Sequence, residues 1–132
     1  MTGRDRAGSS AAHLEVFAEF RFEAAHQLPG VPADHMCARL HGHSYAVRVS
    51  VIGHIEPATG WVIDYGAITA AMDPLRAQLD HRCLNDISGL ENPTSENLAM
   101  WLWQHLRPAL PGLHAVEVRE MPGLGCIYRG QD

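Results

Sequence analysis

The chain has 132 residues, 46% of them apolar, which suits one domain with its own core. Its net charge of −5 excludes the basic surface that a nucleic-acid binder presents. No apolar run approaches the roughly 20 residues of a membrane-spanning helix, and three cysteines without framework spacing point to free thiols in a reducing cytoplasm.

Residues 1–13 are small, polar and aperiodic. Arg4 and Arg6 are followed by no apolar segment, so this is not a signal peptide. The expectation is a disordered tail ahead of a single domain over 14–132. From Leu14 to Ala25 the chain alternates. Val16, Ala18, Phe20, Phe22 and Ala24 share one face; Glu15, Glu19, Arg21 and Glu23 share the other. That pattern predicts a half-buried strand, and His26 continues its buried parity. Gln27 to Leu40 holds two prolines and a glycine and has no period, so it is a loop, and it delivers Cys37. Tyr45, Val47, Val49 and Val51 then alternate with Ser44, Arg48 and Ser50 in a second strand. His41 and His43 share its Tyr/Val face, and antiparallel pairing of the two strands would bring His26 towards them.

After the turn at Glu56–Gly60, Asp64 is placed to cap a helix whose buried stripe is Ile68, Met72, Leu75 and Leu79. Pro74 predicts a kink or restart inside it. Asp80 and His81 close the segment, and 85–92 is loop. Thr94 or Ser95 caps a second helix with Leu98, Trp101, Leu102 and Leu106 inward. Val116, Val118 and Glu120 mark a third strand, and Cys126 to Tyr128 a short fourth. The order β-β-α-α-β-β predicts an α+β fold.

His26, His41 and His43 have the composition of a three-ligand zinc site with an open position; the plain alternative is polar side chains in a loop-to-strand turn. Cys37 is a fourth ligand, an inert packed thiol or a base. Cys83 and Cys126 read as packed thiols, and the remaining histidines as surface residues. Glu120 lies at a buried parity, which is costly for a carboxylate unless it pairs with an arginine or binds something.

These residues, taken together, resemble the 6-pyruvoyltetrahydropterin synthase family. The carriers are Phe22 to His26, Cys37 to His43, Gly60 to Asp64, Leu79 to His81, Leu84 to Asp86, Glu91 to Glu96, Glu120 and Gly125 to Gly130. They span nearly everything after residue 14. Within the family the match is nearest the queuosine-pathway 6-carboxytetrahydropterin synthases. Three residues separate Cys37 from His41; the animal 6-pyruvoyl synthases have a longer gap, and some microbial relatives carry Glu at the cysteine position.

The resemblance implies a tunnelling fold, with a four-stranded antiparallel sheet and two helices on one face. It implies rings of subunits, commonly two trimers stacked as a homohexamer, with no nucleic-acid or membrane partner. It implies Zn2+ on His26, His41 and His43, proton transfer by Cys37, Asp80 and His81, and pterin binding by Glu120 with Thr94 and Ser95. The implied substrate is 7,8-dihydroneopterin triphosphate. The implied products are 6-carboxy-5,6,7,8-tetrahydropterin, acetaldehyde and triphosphate. Arg39, Arg48 and Arg129 are the cations considered for the triphosphate. Two alternatives stand beside this: triphosphate elimination without side-chain cleavage, and a zinc-stabilised pterin-binding scaffold without catalysis. The scaffold needs the three histidines but not Cys37, Asp80 and His81 together. On the residues alone, a surface pair ending a helix is the commoner meaning of Asp80-His81.

Overall fold

The computed structural model describes residues 12–130. Residues 1–11, most of the expected tail, lie outside that range. The first strand starts at His13, the last residue assigned to that tail.

Two long strands carry the fold: β1 (His13–His26) and β2 (His41–His54). They pair antiparallel over their whole length, with Phe22 opposite Tyr45 and His26 opposite His41. Phe22 and Tyr45 stack with ring centroids 4.9 Å apart, both almost fully buried. Helix α1 (Tyr65–Leu79) follows, with the Asp64 side chain accepting from Gly66 N–H as its cap. Next come β3 (Arg82–Cys83), α2 (Ser95–Leu106), β4 (Leu113–Met121) and β5 (Leu124–Tyr128).

Among the described residues the strands form one sheet in the order β3-β1-β2-β4-β5. The expected four antiparallel strands are β1, β2, β4 and β5. The addition is β3, a two-residue strand running parallel to β1 at Ala24 and Ala25. It is too short to carry any alternation, which is why the sequence gives no sign of it. The inward sheet face, from Phe20, Phe22, Val47, Val49, Val116 and Val118, packs on the two helices. Their buried residues are Ile68, Met72, Leu75 and Leu79 on α1, and Leu98, Ala99, Trp101, Leu102 and Leu106 on α2. Each such side chain removed from water is worth about 1.5–3 kcal/mol.

Pro74 sits inside α1, and the helix runs through it without the restart that a proline predicts. Pro74 and Ala70, whose carbonyl loses its amide partner, are both exposed. Water can satisfy that carbonyl, so the interruption is tolerated.

Candidate metal centre and active site

The antiparallel register decides where the histidines go. His26 ends β1 and His41 begins β2 as direct partners, and His43 faces Ala24 one step along. All three side chains therefore reach the same end of the inward face. One ring nitrogen from each lies within 4.8 Å of the others.

Backbone carbonyls settle the tautomers of two of them. His26 Nδ1 donates to Pro93 O at 2.8 Å, and His41 Nδ1 donates to Arg39 O at 2.7 Å. Both Nε2 atoms are then lone pairs, and they face one another at 3.0 Å. His43 Nε2 is buried without a hydrogen-bond partner; Glu120 Oε1 stands 3.4 Å away, out of hydrogen-bonding direction. Unpartnered buried nitrogens converging on one point are costly unless a cation sits between them. The donor set fits zinc: three imidazoles, two of them with the far nitrogen fixed by a carbonyl, and a fourth position open. Burial holds the His26 pKa below its ordinary value, against the upward pull of the Pro93 carbonyl, with His41 and His43 adding to the lowering. The neutral, ligating form is thus favoured.

Tyr45 lies under this cluster, fully buried, with its hydroxyl 3.1 Å from His26 Nδ1. Burial, and secondarily the Glu120 carboxylate, push its phenol pKa upward, so it stays protonated.

Glu120 is half-buried. It accepts a hydrogen bond from Ser95 Oγ at 2.6 Å. The arginine pairs among the described residues run Arg48–Glu19, Arg76–Asp80, Arg119–Glu19 and Arg119–Glu117, and none reaches Glu120. Ser95, Glu96, Glu120, Leu124, Gly125 and Cys126 line a cavity of about 250 Å³. Gly125 is required there by close approach. A Cβ on it would lie 2.6 Å from Val118 O and 2.7 Å from Arg119 Cγ. The Thr94 side chain is engaged as the cap of α2, accepting from Asn97 N–H at 3.1 Å.

Asp80 and His81 follow α1 and are pinned to β1. Glu23 N–H donates to Asp80 Oδ1 at 2.9 Å, and Glu23 O accepts from His81 N–H. Asp80 Oδ1 is 3.1 Å from His81 Nδ1. His81 has φ 59°, among the described residues the only non-glycine in that region. The Glu23 amide, then His81 and Arg76, hold the Asp80 carboxyl below its ordinary pKa, with partial desolvation opposing them. His43 and His81 line one open cleft of about 550 Å³, with Gly42, Ser44 and Arg82.

Cys37 is half-buried on a 3-10 turn, Met36–Ala38, inside the segment expected to be loop. Its N–H donates to His35 Nδ1 and its carbonyl accepts from Leu28 N–H. Its sulfur is not part of the three-histidine cluster. Arg48, considered for phosphate, is held instead on the outer sheet face, 2.9 Å from Glu19 and over the Phe17 ring.

Residues 15–131 match the family described as 6-pyruvoyl tetrahydropterin synthase. The chain belongs to this family. It is 48% identical over 111 residues to the 6-carboxy-5,6,7,8-tetrahydropterin synthase of Synechocystis sp., covering 80% of this chain and 84% of that one. It is 41% identical over 73 residues to the dihydroneopterin monophosphate aldolase of Pyrococcus furiosus, covering 55% of this chain and 60% of that one. The Caenorhabditis elegans 6-pyruvoyl tetrahydropterin synthase superposes with a TM-score of 0.84 at 25% identity, over 91% of this chain and 97% of that one.

Within this pterin synthase fold, four contributors escape sequence reasoning: the carbonyls of Pro93 and Arg39, the Glu23 backbone, and Tyr45. Only Tyr45 carries a signal, since it continues the parity of His41 and His43. Backbone partners have no side-chain signature.

Proposed function

We propose that the domain over 14–132 converts 7,8-dihydroneopterin triphosphate to 6-carboxy-5,6,7,8-tetrahydropterin, acetaldehyde and triphosphate, in the queuosine pathway of the cytoplasm. The observation that carries this reading is the convergence of three imidazoles, two with tautomers fixed by backbone carbonyls, beside the Glu120 cavity. The 48% identity to the Synechocystis enzyme supports the carboxy branch.

His26, His41 and His43 are the proposed zinc ligands. Bound zinc supplies Lewis acidity towards side-chain hydroxyls of the substrate. Glu120 accepts hydrogen bonds from the pterin ring N–H and amino group, with Thr94 and Ser95 at the same helix terminus. Ser95 already aims one carboxylate oxygen. Cys37 takes a side-chain proton, and the Asp80-His81 pair relays it. Asp80 fixes the His81 tautomer through their 3.1 Å contact. Proton movement within the side chain reduces the ring and expels triphosphate, and addition of one water to the resulting diketone side chain breaks its carbon–carbon bond, leaving the carboxylate and releasing acetaldehyde, without a nicotinamide.

Assembly belongs to the same proposal: a ring-forming homo-oligomer, two trimers stacked. β3 covers β1 only at Ala24 and Ala25, and β5 ends the sheet. Two open edges favour closure with neighbouring copies. Leu124 and Ile127 on β5 and Phe17 on β1 are large exposed apolar residues in support. No described helix is long and apolar enough to cross a membrane.

The test is turnover of 7,8-dihydroneopterin triphosphate with product identification. Acetaldehyde equimolar with triphosphate supports the proposal. Triphosphate without acetaldehyde makes the protein a 6-pyruvoyl synthase, and pterin binding without turnover makes it a scaffold.

A further inference from the structure

β1 and β2 carry facing histidines at both ends: His26 opposite His41, and His13 opposite His54. The first pair belongs to the centre above. The second lies at the far end of a 14-residue strand, roughly 40 Å away at about 3.3 Å per residue. It is also on the other face, since His13 has the outward parity of Glu15 and Phe17.

His13 Nε2 and His54 Nε2 approach to 2.9 Å, with ring centroids 4.1 Å apart, and both residues are exposed. Glu15 follows His13 by two residues on the same face, the spacing that His43 has from His41. Its Oε1 is 3.8 Å from His114 Nε2 on β4. The Glu15 carboxylate is thus engaged towards His114, and among the described residues the His13–His54 pair stands by itself at the strand ends. Two nitrogens about 2.0–2.1 Å from one ion and 2.9 Å apart subtend roughly 90°, the cis angle of a tetragonal N,O site. Solvent supplies the remaining positions. Copper(II) leads the divalent series at such donors.

We propose that His13 and His54, with solvent at the remaining positions, form a second metal site for copper(II), separate from the buried centre. A bound ion would tie the two strand ends together where the apolar core has stopped; Val16 and Val51 still pack in it, and Leu14 beyond them is exposed. Pairing of the β1 edge with a neighbouring copy would leave the site open, because side chains stand perpendicular to the sheet.

The probe is copper(II) iminodiacetate, whose chelator fills three positions and leaves room for two imidazoles. It is titrated into zinc-loaded full-length protein and followed by electron paramagnetic resonance and by metal analysis after desalting. The expected result is one copper per chain with two-imidazole nitrogen hyperfine structure and zinc content unchanged. His54→Ala should weaken binding at least about tenfold, the lower bound even for loss of an outer-sphere partner. Equal copper uptake by the parent and His54→Ala, or uptake only with equimolar zinc loss, overturns the proposal. So does a failure to retain copper, which would make the pair a plain N–H···N hydrogen bond.

Discussion

Removing zinc from the three-histidine centre should destabilise the protein by an amount the geometry bounds. The metal-free site holds an unpartnered buried His43 Nε2, and the His26 and His41 lone pairs oppose each other at 3.0 Å. One unsatisfied buried group costs about 1–3 kcal/mol. Zinc at 100 times its Kd stabilises the folded state by about 2.7 kcal/mol if the unfolded chain does not bind it. For a domain of this size each kcal/mol moves Tm by about 4 °C, so the zinc-dependent rise should be about 11 °C. The assay is calorimetry of chelator-treated protein with and without zinc, at fixed chain concentration because oligomerisation also shifts Tm. His41→Ala is the control. It should abolish the zinc-dependent rise yet cost the metal-free protein little, because it removes one of two opposed lone pairs. A zinc-independent Tm, or a rise that persists in His41→Ala, would refute the assignment.

Other expectations follow from the same geometry. Cys37→Ala should keep zinc near one per chain while single-turnover rate falls roughly 10²–10⁴-fold; zinc loss would make Cys37 a ligand, and full activity a bystander. Glu120→Gln replaces one acceptor oxygen by a donor that faces pterin N–H groups, so calorimetry should show a large loss of pterin affinity with the fold intact. Asp80 is held below its ordinary pKa, chiefly by the Glu23 amide. Its carboxylate therefore stabilises the fold above the ordinary Asp range, and that contribution is lost as pH falls through the lowered value. Asp80→Asn should flatten this acid limb in a pH series of melts, and an unchanged limb would contradict the linkage. His81→Gly relieves a left-handed backbone worth about 1–2 kcal/mol and adds about 0.5–1 kcal/mol of unfolded-state entropy. Stability should stay within about 1 kcal/mol while turnover falls as for Cys37→Ala; a protein that unfolds would mean that the His81 ring is structural.

Strand alternation made β1, β2 and β4 legible, because one sheet face is buried and the other wet. That parity also brought His26, His41 and His43 together at one end of the inward face and put Glu120 on the same face, while its position beside them depends on the β2–β4 register. Helix caps at Asp64 and Thr94 were legible for a local reason, a side-chain oxygen two or three residues before an orphan amide. The interruption expected at Pro74 did not occur, because propensity says nothing of which side of the helix faces water. β3 was illegible, since two residues have no period. Cys37 shows the same limit in the site. The loop that carries it closes through Leu28 N–H to Cys37 O and Cys37 N–H to His35 Nδ1, contacts that no periodicity encodes.

One strand links the proposed metal chemistry to the proposed proton chemistry. β1 ends in His26, and three residues earlier the Glu23 backbone holds Asp80 with its amide and His81 with its carbonyl. Each interaction is local, but the intervening segment is rigid. It pairs with β2 through His43 opposite Ala24, and with β3 through Ala24 and Ala25. The Glu23 side chain is also fixed, accepting from Ser44 Oγ at 2.6 Å. A slip of one residue in the β1–β2 register would turn His41 and His43 to the outer face and detach them from His26. The hydrophobic alternation of Phe20, Phe22, Tyr45 and Val47 forbids that slip, because it would expose the whole core face. The packing of the core is thus what aligns three histidines at the strand ends, and the free backbone of the same strand is what holds His81 in a conformation that its own side chain disfavours.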